Sequence, residues 1–204
     1  MRFTVPFFAL LLVLFSACGG GETASTEEAN SVTEEATSTA YLAAESALKD
    51  GKGAGEVSKL LMDNFNAVSD PNTGALNLAE SREFTRLARK LAEKYPGDTT
   101  VALPFYRSAE VVRAMNDPKR AAAIYKDVAS RFPNFSKAAE AMFMLAFTYD
   151  EDLKDYDSAK ATYTEFLEKY PTHSFADDTE MLLKNLGKSD EEILRELEEK
   201  VKEQ

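Results

Sequence analysis

The chain has 204 residues, with 24 Lys and Arg against 35 Asp and Glu, one His, one Cys and no Trp. A formal charge of −11 argues against a nucleic-acid binder, which needs basic surface to neutralise phosphates. One Cys and one His fall short of the roughly four N/S ligands of a structural zinc site, and one Cys allows no intrachain disulfide. The hydrophobic share of 44% is enough for a single core, and the length suits one domain with tails.

Arg2 supplies a positive start, and Val5 to Phe15 is an apolar run of 11 residues. A membrane-spanning helix needs roughly 20, so residues 1–17 read as a secretory signal peptide. The run ends in Leu14-Phe15-Ser16-Ala17-Cys18, and Gly19-Gly20-Gly21 follow. Small residues before the sole Cys resemble a bacterial lipobox, although Phe15 stands where Leu is usual. That resemblance implies cleavage before Cys18, a diacylglycerol on its thiol and an acyl chain (palmitate or similar) on its new amine. Each buried methylene adds about 0.8 kcal/mol, so three chains anchor durably where one does not. Cleavage removes one base and no acid, so an acidic body stands off anionic headgroups and the lipid does the anchoring. In lipoproteins of the enteric type, Asp after the Cys favours inner-membrane retention. Residue 19 is Gly, which points to the outer membrane, with the body in the periplasm or on the cell surface. Glu22 is a weak sign of surface export.

Residues 18–39 hold the lipidated Cys and a Gly/Ser/Thr/Glu-rich stretch with five Glu and no base. Such a composition buries too little apolar area to offset its ordering entropy. It reads as a tether about 25 Å in root-mean-square span. The folded domain is expected over 40–204, all-α. Tyr41 to Lys49 is Ala-rich, and Gly51 to Gly55 breaks it. Val57, Leu60, Leu61, Phe65 and Val68 recur at helical spacing. Asp70-Pro71-Asn72 with Gly74 makes a turn. Leu76 to Tyr95 is a long helix with Phe84, Leu87, Ala88 and Leu91 on one face.

A repeat governs the rest. Tyr95-Pro96, Phe132-Pro133 and Tyr170-Pro171 recur at spacings of 37 and 38, each after a basic residue: Lys94, Arg131 and Lys169. Ala121 to Tyr125 aligns with Ala159 to Tyr163, and Val128 with Phe166. Ahead of them, Phe105-x-x-Ser108-Ala109-x-x-Val112 aligns with Met142-x-x-Leu145-Ala146-x-x-Tyr149. Small residues let helices approach closely, and the aromatic four residues on fills the groove between helix pairs. This resembles the tetratricopeptide repeat over Phe84 to Gly187. The departures are Ala for the first Gly, Ser108 and Val112 for Leu and Tyr, and Val128 and Phe166 for the later Ala. Ala109 to Ala121 spans 12 residues, the family's own spacing, and Ala146 to Ala159 spans 13, one residue being added within Asp150–Asp157. Longer units of this kind behind a lipobox resemble the BamD-like and Tol-Pal-associated repeat proteins of the cell envelope.

The tail over 189–203 is expected to cap a solenoid. Ser189 with Glu192 has the form of a capping box. Ile193, Leu194, Leu197 and Val201 make a narrow apolar stripe, and a terminal repeat needs one wet face.

Several tempting motifs carry no chemistry. Gly187-Lys188-Ser189 lacks both the earlier Gly and the strand of a phosphate loop, and Gly51-Lys52-Gly53 fails similarly. Asp150, Glu151, Asp152, Asp155 and Asp157 lack the Gly and Glu of a calcium loop and read as a solvated acidic turn. His173 has no Cys or second His to act with. No catalytic constellation, cofactor or metal site is expected, and the protein reads as a non-enzyme.

The resemblance implies a concave partner groove lined by the first helix of each repeat. Carried over by position, it comprises Tyr106, Glu110 and Arg113, with Leu103 beside them; then Phe143, Phe147 and Asp150, with Glu140; then Met181 and Asn185. Phe143 and Phe147 admit two readings: packing against neighbouring helices, or an apolar peptide groove with an acidic rim. The expected function is a lipid-anchored envelope scaffold that binds a protein or peptide, in outer-membrane assembly or envelope maintenance. The competing reading is a lipoprotein that captures a glycan or small ligand, against which the lack of Trp counts.

Overall fold

The computed structural model describes residues 38–202. The signal peptide, Cys18 and nearly all of the expected tether lie outside the described residues. Ser38 and Thr39 correct the tether's far end: the Ser38 hydroxyl donates to Glu80 at 2.6 Å and the Thr39 N–H at 3.1 Å. They belong to the folded body because Glu80, itself buried, needs donors.

The described residues form α1 (Leu42–Lys49), α2 (Ala54–Asp63), α3 (Leu78–Lys94), α4 (Ala102–Ala114), α5 (Pro118–Arg131), α6 (Ala138–Phe147), α7 (Tyr156–Lys169), α8 (Ala176–Asn185) and α9 (Asp190–Lys202). Helix follows helix as packed antiparallel neighbours from α3 to α8, the all-α solenoid that the repeat implies. The expected run over 57–68 is interrupted: α2 stops at Asp63 and Phe65–Val68 is a 3-10 turn. The Asn64 amide there donates back to the Leu60 carbonyl at 2.9 Å, which competes with helix continuation. The turn at 70–74 forms around the Asp70 carboxylate, which accepts the Asn72 and Thr73 N–H groups, each at 2.8 Å.

Three corners set the stacking. A residue before proline is pushed out of helical backbone, so α3, α5 and α7 end at Tyr95, Phe132 and Tyr170. These share nearly one conformation, with φ/ψ of −125/64°, −125/59° and −130/51°. Each is followed by the same three-residue hydrogen-bond ladder. Asp98 N–H donates to Tyr95 C=O and Val101 to Asp98. Phe135 donates to Phe132 and Ala138 to Phe135, and His173 to Tyr170 and Ala176 to His173. His173 is thus the corner residue of the last unit. Its Nδ1 accepts the Phe175 N–H at 3.2 Å, and its ring lies edge-on to Phe166 at 5.6 Å.

The second helices of successive units form one layer, tied end to end. Lys94 of α3 donates to the Leu48 carbonyl of α1 at 2.8 Å, and Arg131 of α5 to the Ala92 carbonyl of α3 at 2.7 Å. Both satisfy carbonyls that a helix C-terminus leaves orphaned. Lys169 departs from this pattern and pairs with Glu165 on its own helix. Ala109, Ala121, Ala146 and Ala159 are all fully buried, which lets the helices close on one another. Tyr125, Val128, Tyr163 and Phe166 fill the space between them, also at zero exposure.

The extra residue of the second unit is absorbed as a single π-turn over Thr148–Asp152, with Leu153 N–H donating to Thr148 C=O at 3.1 Å. A one-residue insertion into a helix has this outcome. Beyond it the two units realign. Asn116 and Lys154 take positive φ (63° and 52°), and Asp117 and Asp155 cap α5 and α7 by accepting the Arg120 and Ser158 N–H groups.

The capping box of α9 is formed. The Glu192 carboxylate accepts the Ser189 N–H at 2.8 Å, and the Ser189 Oγ accepts the Glu192 N–H at 3.3 Å. Of its apolar stripe, Ile193 is half-buried and faces Leu182 and Tyr156 across a small cavity, while Leu194 is 59% and Val201 74% exposed. The chain leaves α8 through Gly187 at φ +74°, the left-handed region that glycine adopts without penalty.

Ala146→Leu places a bulky side chain where no space exists. It should cost about 1–3 kcal/mol, read as a lower urea midpoint; an unchanged midpoint would mean that α6 and α7 are not closely packed there.

Candidate functional site

The surface carrying the expected groove residues is built by α4, α6 and the π-turn that continues α6. The structure divides those residues among three environments.

Tyr106, Asp150 and Phe143 turn inward. Tyr106 is buried, 5.8 Å from the Tyr125 ring and 6.3 Å from Phe135, with the Lys137 ammonium 5.9 Å from its own centroid. It lies on α4, but α5 and the 132–138 corner cover it. Burial, with the nearby Glu110 charge next, holds its phenol proton more tightly than usual. Asp150 is buried too, and accepts the Tyr163 hydroxyl at 3.5 Å. The expected solvated acidic turn is corrected here, because the π-turn rolls Asp150 toward α7. Burial raises its carboxyl pKa, helped by the Glu151 charge. Phe143 is half-buried, 4.7 Å from Phe175 and about equally close to Tyr163 and Phe166 at 6.3 and 6.0 Å. It joins α6 to α7 and to the corner before α8, the packing reading of the two left open.

Glu110, Arg113 and Phe147 are half-buried like Phe143 and come together, the Phe147 ring stacking on Phe143 at 6.2 Å. Both Nε and Nη2 of Arg113 donate to the Asp152 carboxylate, the Nη2 bond at 3.1 Å. The guanidinium carbon also lies 5.1 Å from the Phe147 ring centroid. The Asp152 hydrogen bonds raise the Arg113 pKa against opposing burial. Glu110 accepts from Arg107 of its own helix at 2.7 Å. Glu110, Arg113, Tyr125, Met144 and Asp152 line a cavity of about 440 Å³ between the two repeats. Met181 and Asn185 lie elsewhere. Met181 is 62% exposed, and both line a separate cavity of about 180 Å³ toward α9, with Lys188 and Ile193.

Sequence reasoning missed Asp152, Tyr125 and Met144. Asp152 was visible as one acid of a run, but its partner is 39 residues away, and only the π-turn brings the two together. Tyr125 was recognised as a groove-filling core residue. Its hydroxyl is buried and has no hydrogen-bond partner. Tyr163, its counterpart one unit on, donates to Asp150, whereas the residue 37 positions before Asp150 is Arg113, which has no acceptor to offer.

The tetratricopeptide repeat family matches residues 105–134 and 140–173. The matched segments are α4 with α5 and α6 with α7. No curated protein matches the chain. Repeats of this class are protein-interaction modules that present extended concave surfaces, and the α4–α6 side belongs to the first helix of each.

Asp150 generates a pH dependence of defined sign. Its folded pKa lies above the unfolded value, so its contribution to stability is fully present below the unfolded pKa and is lost as pH rises through the folded one. Asp150→Asn keeps an acceptor for Tyr163 and removes the buried charge. Urea midpoints of variant and parent should coincide near about pH 3 and separate in the variant's favour toward about pH 7.

Proposed function

We propose that this protein is a lipid-anchored scaffold of the bacterial cell envelope that holds a protein partner on the α4–α6 face. One observation supports the partner-binding reading: across two matched repeats, the half-buried Phe147 and the Arg113–Asp152 pair form a single patch on the first-helix side. The lipid anchor rests on Cys18, the only Cys, directly after Ser16-Ala17. Gly19 favours the outer membrane, with the body in the periplasm or on the cell surface. The acidic body supplies no attraction to anionic headgroups, so three acyl chains hold the protein there. Outer-membrane assembly or envelope maintenance is the work such a scaffold would serve. The role is that of a binding module without catalysis, in keeping with the scaffolding use of these repeats.

Cys18→Ala should move the protein from the membrane pellet to the soluble fraction and abolish incorporation of labelled palmitate. Retention in the pellet would defeat the anchor. Protease shaving of intact cells distinguishes surface from periplasm.

The two phenylalanines separate core from docking. Phe143→Ala should destabilise by about 2–4 kcal/mol, as for a large aromatic removed from packing. Phe147→Ala should change the thermal midpoint by no more than about 3 °C while reducing recovery of a crosslinked envelope partner at least about fivefold, a loss on the order of 1 kcal/mol. Undiminished recovery would remove this face as the docking surface.

A further inference from the structure

We infer that the joint between α5 and α7 is an adjustable hinge, whose latch, Lys169, is held off the end of α5 by Glu165. The hinge is independent of what docks on α4 and α6.

Two observations meet at this joint. The first is a carbonyl without a donor. Proline has no N–H, so Pro96 and Pro133 deprive the Ala92 and Ala129 carbonyls of their helical partners four residues on. At the α3–α5 joint, Arg131 makes good the loss. Its Nη2 donates to the Ala92 carbonyl at 2.7 Å, while its Nη1 lies 3.5 Å from Asp127 one turn back. A flat, forked guanidinium can serve both oxygens. One unit on, Ala129, Glu165 and Lys169 stand where Ala92, Asp127 and Arg131 did, at spacings of 37 and 38. The single ammonium of Lys169 goes to Glu165 at 2.6 Å. The Phe132 N–H is spent on Val128, and the Ser130 hydroxyl on the Lys126 and Asp127 carbonyls. The Ala129 carbonyl is left without a donor among the described residues. Lys94, which has Lys90 and no acid one turn back, does reach its carbonyl, that of Leu48 at 2.8 Å. A competing carboxylate, not the lysine as such, undoes the latch.

The second observation is a gap in the packing. Arg131 lies over Phe105 and Phe132, 5.6 and 5.3 Å from their centroids, and Ile124 of the same helix is buried. The counterparts of those three, Met142, Tyr170 and Thr162, border a cleft of about 320 Å³ together with Ala129, Glu165 and Lys169. The core divides at the same place. Buried residues from Tyr41 to Phe132, joined by Ala141 and Leu145 of α6, make one cluster. Phe166 of α7 packs apart with Ala139 and Met142, and Ala159 and Tyr163 with Ala146. An element that shares fewer apolar contacts with the main core opens at lower cost.

The Lys169–Glu165 pair is more than half exposed on both sides, and such pairs contribute little. A cation at a helix C-terminus gains a comparable amount, so the two positions of Lys169 are close in free energy. Lys126 also lines the cleft, but a helical side chain leans toward the N-terminus of its helix, away from the Ala129 carbonyl.

The test uses the full chain labelled with carbonyl carbon-13 alanine. It follows the Ala129 resonance, which moves downfield when the oxygen accepts a hydrogen bond; Ala92, already capped by Arg131, should not move. Lys169→Arg should shift Ala129 downfield and slow amide exchange in α7 and α8 about two- to fivefold, the size of effect of a cation at a helix C-terminus. Glu165→Gln should shift it in the same direction, and adding Lys169→Met should reverse that shift. In the parent, α7 and α8 amides should exchange faster than those of α3.

An Ala129 resonance unmoved by both Lys169→Arg and Glu165→Gln overturns the latch. So does a Glu165→Gln shift that survives Lys169→Met, since another donor would then hold the carbonyl. Parent amides in α7 and α8 as slow as those of α3 overturn the hinge.

Discussion

Every unit of this solenoid turns on one steric constraint. A residue followed by proline is disfavoured in helical backbone, because the proline ring crowds its N–H and Cβ; only in the first turn of α4 does one, Leu103 before Pro104, stay helical among the described residues. Tyr95, Phe132 and Tyr170 each meet it, and each ends its helix within a few degrees of the same conformation. The carbonyl freed at the corner accepts the N–H three residues on, and that residue's carbonyl accepts the next, so the following helix starts at a fixed offset. Equal offsets put alanines at equal depths, and buried alanines allow the close approach that Tyr125 and Tyr163 then seal. Without repeated corners there would be no aligned first-helix face for a partner.

The two repeats are alike at their corners and unlike in their middles. One inserted residue becomes a π-turn, and the consequences are chemical. Asp150 rotates under Tyr163, while Asp152 comes within reach of Arg113 from the preceding unit. Tyr125 lacks the acceptor that Tyr163 enjoys for a different reason: Arg113 stands where the next unit has Asp150. The irregular turn thus ties the repeats together through an ion pair and opens a polar cavity beside it. π-turns gather at functional positions in other helices for a related reason: they re-aim side chains without ending the helix.

Much of this was legible along the chain because the signals are local. Helix stops before proline, an N-cap aspartate, a Ser-x-x-Glu box and an apolar stripe at helical spacing need only a few neighbouring residues to act. The helices, the repeat and its register, the Asp70 turn and the Ser189–Glu192 box followed from such signals. The groove was legible only by position. Phe143 and Phe147 have the same residue type, spacing and helix, yet one packs on Phe175 and the other supports Arg113. The stripe on α9 has the form of a cap, yet Leu194 and Val201 stay exposed while Ile193 is half-buried.

The amino-acid sequence by itself determined where helices begin and end, and that they recur with a fixed period, since those outcomes are settled by backbone sterics and hydrogen bonds within a few residues. Tertiary structure alone decided which faces stay wet. Exposure depends on what another helix, 30 or 40 residues away, lays over a side chain. It placed Tyr106 and Asp150 in the interior, brought Arg113 onto Asp152, and left the Tyr125 hydroxyl buried and unpaired beside the cavity.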